Sequence, residues 1–184
     1  KYGITVVPVH IQFGEHSFRV GIVLSPQDFY AKVDSTHLIP KTSQPPPAQF
    51  AEVYERLAAD GSQILSIHLS SKLSGTFQSA DLARQELAGK VDVRTFDTLA
   101  LSAAAGFMTV EASRMAQAGK SVAEIITRLE EVRARANVFF TPQMLKYLQM
   151  SGRVSNFSAL IGSALNVKPI IGLKDGRLEP LERI

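Results

Sequence analysis

Residues 64–80 read ILSIHLSSKLSGTFQSA: an apolar run, then a hydroxyl-rich loop, then the start of a helix. The run 64–69 shows little alternation, a pattern typical of a strand that is covered on both faces in a parallel sheet. From Phe77 the apolar residues recur at helical spacing through Leu82 and Leu87. The sequence therefore predicts a strand, a loop and a helix in direct succession.

The loop in this stretch is a candidate anion site. Where a strand of an open α/β sheet feeds a helix, the unpaired N–H groups and the positive end of the helix dipole favour a bound anion. We expect the Ser74 hydroxyl and the amides of Gly75 and Thr76 to be its donors. The alternative is an ordinary helix cap at Ser74, which is commoner than a ligand site. Both interpretations can hold, since a cap hydroxyl can exchange its amide partner for a carboxylate.

The composition indicates a globular chain and narrows the function classes. With 184 residues, 45% hydrophobic and 20% charged, the chain can bury the core of one large or two small units. Basic and acidic residues are interspersed, so the net charge of +3 favours a solvated surface over a nucleic-acid partner. The absence of Cys excludes disulfides, thiolate catalysis and Cys-based zinc sites, and it fits a reducing cytoplasm.

The apolar runs are short, and both ends of the chain look internal. No run approaches the roughly 18 residues of a membrane span, so we expect no stable membrane insertion. The sequence begins at Lys1 rather than Met and stops at Ile184 within an apparent strand. We expect it to be a piece of a longer protein.

Strand and helix patterns alternate along the chain. Strands are predicted over residues 4–13, 17–20, 64–69, 91–96, 138–140, 167–173 and 177–181. Helices are predicted over residues 25–33, 50–59, 77–88, 97–118, 121–136, 142–150 and 157–165. This order is typical of an α/β fold with a Rossmann-like parallel sheet. We expect two subdomains: residues 1–136, and a smaller α/β subdomain of residues 137–184 with antiparallel strands.

Two helix patterns lead to specific expectations. The helix over 97–118 has almost no charge before Glu111, which predicts burial on several of its sides. Ser121 and Glu124 have the spacing of a capping box, in which each side chain accepts a hydrogen bond from the other residue's amide.

A proline-rich segment, PKTSQPPP, occupies residues 40–47. Its consecutive prolines hold the backbone extended, so the hydroxyls of Thr42 and Ser43, just before them, are carried by a rigid segment. The residues alone favour a plain linker and helix start over a binding loop.

Common catalytic signatures are missing from the sequence. It contains neither the P-loop pattern nor G-x-G-x-x-G after a strand, and Lys72 occupies the first glycine position of a nucleophile elbow around Ser74. The four histidines lack metal-ligand spacing, so we expect neither a metal site nor catalytic residues. His68 is the only one near the loop, and a hydrogen-bonded core residue is its ordinary role. For Arg153, beside Ser151 and Gly152, a solvated side chain is the default, and contact with an anion or with a partner is the alternative.

Four segments together resemble the DegV family of bacterial fatty-acid-binding proteins: GITVVPV at 3–9, PKTSQP at 40–45, SIHLSSKLSGTFQSA at 66–80 and SGRVSNFSALIGSALNVKPIIGLKDGRLEP at 151–180. The resemblance implies two α/β subdomains that hold a long-chain fatty acid in an internal tunnel. It also implies that Thr42 and Ser74 bind the carboxylate and that amides around Gly75 complete the cradle. In family members that serve a fatty acid kinase, the binding subunit presents this carboxylate to a separate ATP-using subunit, which makes acyl-phosphate.

The sequence departs from the family pattern in several places. Family chains begin with a strand ending in Asp-Ser and continue into an Arg and a His-containing Gly-rich segment, and neither end is present here. Thr141 and Pro142 stand where relatives often have Asp, and SGRV replaces the commoner GGRI at 151–154.

Three hypotheses follow. The leading one is a cytoplasmic, non-enzymatic carrier whose bound molecule is a long-chain fatty acid, with a fatty acid kinase subunit as partner, no cofactor and no nucleic acid. The second is an enzyme that uses the Ser74 loop as an anion site, for which His68 is the sole candidate base. The third is an interaction module with an ordinary capped helix.

Overall fold

The computed structural model of the protein describes residues 2–21, 23–142, 145–153 and 169–183. It has a mixed α/β fold, in which the described strands form one two-stranded and two three-stranded sheets. The chain divides into two compact units. The first unit comprises residues 3–66 and 78–95, and the second comprises residues 1–2, 67–77 and 96–184.

The first unit contains an antiparallel sheet with strand order β2-β1-β3. Its strands are β1 (His10–Phe13), β2 (His16–Arg19) and β3 (Lys41–Ser43). The predicted hairpin is confirmed, since His10 pairs with Arg19 and Phe13 with His16. The predicted first strand is too long, because residues 4–9 lie outside any strand and Pro8 has no N–H to donate to a ladder.

Helices α1 (Pro26–Thr36) and α2 (Pro47–Leu57) also belong to the first unit. The Ser25 hydroxyl caps α1 by accepting a 3.1 Å hydrogen bond from the Asp28 amide. Helix α2 starts earlier than predicted, on the last of the three prolines, because proline is well suited to the first helical position.

Residues 64–86 form the predicted strand, loop and helix. Strand β4 (Ile64–His68) leads through the loop into α3 (Thr76–Glu86), and β5 (Val93–Asp97) follows. Strands β4 and β5 pair as a parallel two-stranded sheet. The fold class is confirmed in this respect.

Two longer helices, α4 (Ser102–Gln117) and α5 (Val122–Arg135), lie in the second unit. The capping box of α5 is confirmed: the Ser121 hydroxyl accepts from the Glu124 amide at 3.3 Å, and Glu124 accepts from the Ser121 amide at 2.9 Å. Helix α4 begins later than predicted, because Leu99 (φ 48°) and Ser102 (φ 53°) have left-handed backbone angles that interrupt a right-handed helix.

The second unit ends in an antiparallel sheet with strand order β6-β7-β8. It consists of β6 (Phe139–Phe140), β7 (Pro169–Lys174) and β8 (Arg177–Arg183), and α6 (Leu145–Met150) lies between β6 and β7 in the chain. The antiparallel strands predicted for this region are therefore confirmed. The helix predicted over 157–165 lies outside the described residues, and the subdomain boundary near Asn137 stays a prediction.

The core of the first unit is built on one face of α2 and one face of α3. The buried cluster consists of Phe50, Tyr54, Ala80, Ala83, Leu87 and Val93. The Tyr54 hydroxyl also donates a 2.7 Å hydrogen bond to the Ser66 hydroxyl. Among the described residues, no helix combines the length and apolar character needed to cross a membrane.

The predicted burial of α4 on several sides is wrong. Only Met108 and Ala112 are buried on this helix, and the Phe107 side chain is 73% exposed. The low charge of the helix comes largely from Ala and Gly, which carry little apolar surface and do not require burial.

The core can be tested with a pair of matched substitutions. Phe50 is 1% exposed and Phe107 is 73% exposed, so Phe50→Ala leaves a cavity whereas Phe107→Ala does not. We expect Phe50→Ala to lower the free energy of unfolding by about 3–5 kcal/mol and Phe107→Ala by less than about 0.5 kcal/mol. Urea unfolding followed by circular dichroism measures both. Equal losses would contradict the assignment of Phe50 to the core.

Candidate functional site

The loop between β4 and α3, residues 69–75, is called the Ser74 loop. Ser70 sits at its base and is completely buried. Its carbonyl accepts hydrogen bonds from the amides of Leu73 (3.1 Å) and Ser74 (3.2 Å), and its own amide donates to Ala100 at 2.8 Å. These bonds close the loop into a compact turn just before α3.

The Ser74 hydroxyl lies at the start of α3. It accepts a 3.3 Å hydrogen bond from the Thr76 amide and is 2.8 Å from the Thr76 hydroxyl. This bond joins Ser74 to the first residue of α3, and the helix cap considered from the sequence stays a prediction. The Gly75 amide donates to none of the described residues, and both Ser74 and Gly75 are half-buried. Two hydroxyls and a helix-terminal amide thus lie together, which is a suitable donor set for a carboxylate.

Asp97, the last residue of β5, lies outside the Ser74 loop and stabilises it through hydrogen bonds. Its carboxylate accepts from the Ser71 amide at 3.2 and 3.3 Å and from the Leu99 amide at 2.9 Å. Arg133 donates to the Asp97 carbonyl at 2.8 Å. Sequence reasoning missed this residue, although a signal was present, because Asp97 ends the strand that neighbours β4 in the predicted parallel sheet.

Gly176, in the turn between β7 and β8, contacts the base of the same loop. Its carbonyl accepts a 2.7 Å hydrogen bond from the Ser70 hydroxyl. A Cβ atom built at Gly176 would lie 2.5 Å from Ser70 Oγ and 3.1 Å from Leu99 Cδ2. Glycine is required here both by this close approach and by its φ of +79°. The sequence predicts a turn at this position but carries no sign of its partner, which lies 106 residues away.

His68, the last residue of β4, is 8% exposed. Burial lowers the pKa of its imidazole from 6.5 to about 4, and the nearby charge of Asp97 offsets part of that shift. The ring packs edge-on against Phe77, with centroids 6.1 Å apart. At neutral pH the side chain is therefore an uncharged core residue, as the ordinary interpretation of the sequence predicted.

Arg153 contacts the Ser74 loop, which the default interpretation of a solvated arginine did not anticipate. Its Nε donates to the Leu73 carbonyl at 3.3 Å, and its Nη1 donates to the Ser151 carbonyl. The side chain remains exposed, so these two bonds fix the orientation of the guanidinium without burying its charge.

Thr42, the other expected carboxylate ligand, is the middle residue of β3. It pairs with Ile11 of β1, and its side chain is exposed. Thr42 belongs to the first unit, whereas Ser74, Gly75 and Thr76 belong to the second. Their meeting in one site stays a prediction. Among the residues that the structure describes, no group of His, Asp and Glu side chains could hold a metal ion.

The close approach at Gly176 predicts a larger cost of substitution than its backbone angle alone explains. We expect Gly176→Ala to lower the free energy of unfolding by roughly 1–3 kcal/mol more than Gly89→Ala. Gly89 is the matched control, because its φ of +80° is nearly the same and a Cβ there meets no atom of the described residues within 4 Å. Urea unfolding of both variants measures the difference. Identical losses would show that Ser70 does not constrain residue 176.

The buried His68 predicts a pH dependence of stability. Because its folded pKa of about 4 lies below 6.5, the unfolded chain binds more protons between these values, and stability falls as the pH falls through this window. Between pH 7 and pH 5 we expect wild type to lose about 2 kcal/mol more unfolding free energy than His68→Gln. Urea titrations at both pH values measure this loss. A parallel decline in wild type and variant would disprove the depressed pKa.

Comparison with known proteins places the chain in a family. The family model described as "Uncharacterised protein, DegV family" matches residues 1–184. A DegV domain-containing protein of Deinococcus radiodurans is 37% identical over 182 residues, which cover 99% of this chain and 64% of the relative. Protein DegV of Bacillus subtilis is 36% identical over 185 residues, which cover 100% of this chain and 66% of the relative.

Solved structures give the same result. The crystal structure of DegV, a fatty acid binding protein from Bacillus subtilis, matches with a TM-score of 0.90 at 36% identity, covering 100% of this chain and 65% of that one. A DegV family protein from Thermus thermophilus, whose structure is described as showing fatty acid binding, matches with a TM-score of 0.88 at 36% identity. The match covers 99% of this chain and 64% of that one. The chain spans just under two thirds of the length of these solved structures. The resemblance predicted from four sequence segments is confirmed, and the chain belongs to the DegV family.

Proposed function

We propose that this chain binds a long-chain fatty acid whose carboxylate lies at Thr42 and Ser74, with the amides of Gly75 and Thr76 completing the cradle. The observation that carries the proposal is the donor set of the Ser74 loop, in which a half-buried hydroxyl stands beside the Gly75 amide at the start of α3. Two solved relatives that are 36% identical over nearly the whole of this chain are described as binding fatty acids.

The two ends of such a ligand have different energetic roles. Each hydroxyl-to-carboxylate hydrogen bond is charge-assisted and contributes roughly 1.5–3 kcal/mol. Each buried methylene contributes about 0.8 kcal/mol, so a tail of fourteen or more carbons dominates the affinity. The polar site then determines which end of the lipid reaches the Ser74 loop.

The partner in this proposal is a separate fatty acid kinase subunit in the cytoplasm. That subunit would transfer the γ-phosphoryl group of ATP to the lipid carboxylate, forming acyl-phosphate and releasing ADP. The present chain would supply no cofactor and no catalytic residue, and its role would be to hold and orient the acceptor carboxylate. Hydroxyl and amide donors suit this role because they carry no full positive charge and leave the bound carboxylate able to attack phosphorus.

An enzyme that uses the Ser74 loop as its own anion site remains the second candidate. It would need a general base with a pKa near the operating pH. The pKa of His68 is about 4, so its imidazole takes up a proton poorly at neutral pH. Turnover of ATP and fatty acid by the purified chain alone would favour this alternative over the carrier.

The headgroup site predicts a selective loss of lipid affinity. We expect Ser74→Ala and Thr42→Val each to raise the Kd for hexadecanoate by about 10- to 100-fold, since each removes one charge-assisted hydrogen bond. Ser35→Ala is the matched control, because Ser35 is exposed on α1 and its hydroxyl donates to the Lys32 carbonyl, its one partner among the described residues. Isothermal titration calorimetry on delipidated protein measures binding, and urea unfolding confirms that the variants fold.

The outcomes separate the two halves of the site. If Ser74→Ala weakens binding and Thr42→Val does not, the Ser74 loop belongs to the carboxylate site and Thr42 does not. Unchanged binding in Ser74→Ala would overturn the headgroup proposal. If both residues hold one carboxylate, the double variant should lose less than the sum of the single losses, because the two bonds depend on each other.

A further inference from the structure

The chain contains two Asp-Gly pairs, Asp60-Gly61 and Asp175-Gly176. Such a pair is chemically labile, because glycine has no side chain to hinder its own amide nitrogen from attacking the preceding carboxyl group. The first pair lies just after α2, and the second lies between β7 and β8. Neither pair contains a residue of the proposed carboxylate site, so their chemistry is independent of lipid binding.

The first pair is open to solvent. Asp60 and Gly61 are both exposed, and a Cβ atom built at Gly61 meets no atom of the described residues within 4 Å. The Asp60 carboxylate accepts a 2.9 Å hydrogen bond from the Ser62 amide, an Asx turn that folds the carboxyl group back over the Gly61 peptide. The Gly61 amide donates to the Ala58 carbonyl at 2.9 Å, and this bond in the turn after α2 must open before the nitrogen can react.

The second pair is held more tightly. Lys174 pairs with Arg177, which leaves a two-residue hairpin loop between them. The residues of this loop, Asp175 (φ 48°) and Gly176 (φ 79°), have the positive angles of a type I′ turn. Gly176 is buried, and its carbonyl accepts the 2.7 Å hydrogen bond from the Ser70 hydroxyl. A rotation that turned the Gly176 nitrogen toward the Asp175 side chain would break this buried bond.

We propose that Asp60 is a site of spontaneous isomerisation to isoaspartate in the folded protein, and that the Ser70 hydroxyl protects Asp175 from the same reaction. The Gly61 nitrogen attacks Cγ of the protonated Asp60 carboxyl group. A C–N bond forms, the side-chain hydroxyl leaves as water with the amide proton, and a cyclic succinimide results. Water then opens the ring at either carbonyl and gives back aspartate or gives isoaspartate, whose main chain runs through Cβ. Oxidation states do not change, so the reaction needs no co-reactant besides water.

The consequences differ between the two pairs. Isoaspartate lengthens the main chain by the Cβ atom. After α2 the added atom meets open space, since nothing among the described residues lies within 4 Å of a Cβ at Gly61. In the hairpin, a Cβ at Gly176 would already lie 2.5 Å from Ser70 Oγ, so a longer turn would displace the Gly176 carbonyl from the Ser70 hydroxyl. The fold therefore tolerates the modification at Asp60 and would lose the contact at the base of the Ser74 loop if Asp175 reacted.

The first experiment compares the two pairs within one chain. The full chain is incubated in mildly acidic buffer, either folded or in urea, and is then cut after lysine. The peptides 42–72 and 175–184 each carry a single aspartate, and electron-transfer fragmentation identifies isoaspartate in each. In the folded chain we expect Asp60 to convert roughly ten- to hundredfold faster than Asp175, since a buried hydrogen bond must open at the second pair. In urea the two rates should be nearly equal, because glycine follows both residues.

The second experiment tests the protection directly. Ser70→Ala should raise the rate at Asp175 in the folded chain on the order of tenfold and leave the rate at Asp60 unchanged. Ser35→Ala, on the exposed face of α1, should change neither rate. Circular dichroism confirms that the variants fold, and the comparison of folded with unfolded wild type does not depend on them.

Three results would overturn the proposal. Equal rates at Asp60 and Asp175 in the folded wild type would show that the two surroundings do not matter. Absence of isoaspartate at Asp60 in the folded chain, over a time in which the chain in urea converts, would show that the turn after α2 also protects its pair. An unchanged rate at Asp175 in folded Ser70→Ala would show that the Ser70 hydroxyl is not the protecting group.

Discussion

The buried hydroxyl of Ser70 is the contact on which the geometry of the Ser74 loop depends. It donates to Gly176 at 2.7 Å and accepts from the Lys72 amide at 3.2 Å, while the Ser70 amide donates to Ala100. A completely buried polar group must be satisfied, because leaving it without partners costs roughly 1–3 kcal/mol. The strand end at β4, the turn before β8 and the segment before α4 are therefore held together at one point, and the loop follows from them.

Charge is distributed unevenly around that loop. The side of the loop toward α3 carries hydroxyls and amides. On its other side, Lys72 of the loop lines a pocket together with the cationic side chains of Arg153 and Arg177. A carboxylate held by cations is a weaker nucleophile, since positive charge stabilises its lone pairs. Neutral donors hold a carboxylate in place and preserve its reactivity. On the proposed function, the separation keeps the acceptor oxygen reactive.

Sequence reasoning succeeded where the determinants were local. The order of β4, loop and α3, the hairpin β1–β2 and the capping box at Ser121 each follow from residues within a few positions of one another. It failed where contacts between distant segments of the chain determine the local structure. The bond between Ser70 and Gly176 has no local signature, and Leu99, whose left-handed angle helps to delay α4, lies beside that contact. The position of Asp97 near the loop could have been predicted, because it ends the strand that neighbours β4 in the sheet.

Two ionisable residues beside the loop, Asp97 and His68, have structural roles. The Asp97 carboxylate accepts hydrogen bonds from the amides of Ser71 and Leu99. Both oxygens therefore accept hydrogen bonds from backbone amides at the loop. Burial keeps the pKa of His68 near 4, and its backbone carbonyl accepts from both the amide and the hydroxyl of Thr98. An imidazole with a pKa near 4 takes up a proton poorly at neutral pH, which on the proposed function suits a chain that holds its ligand.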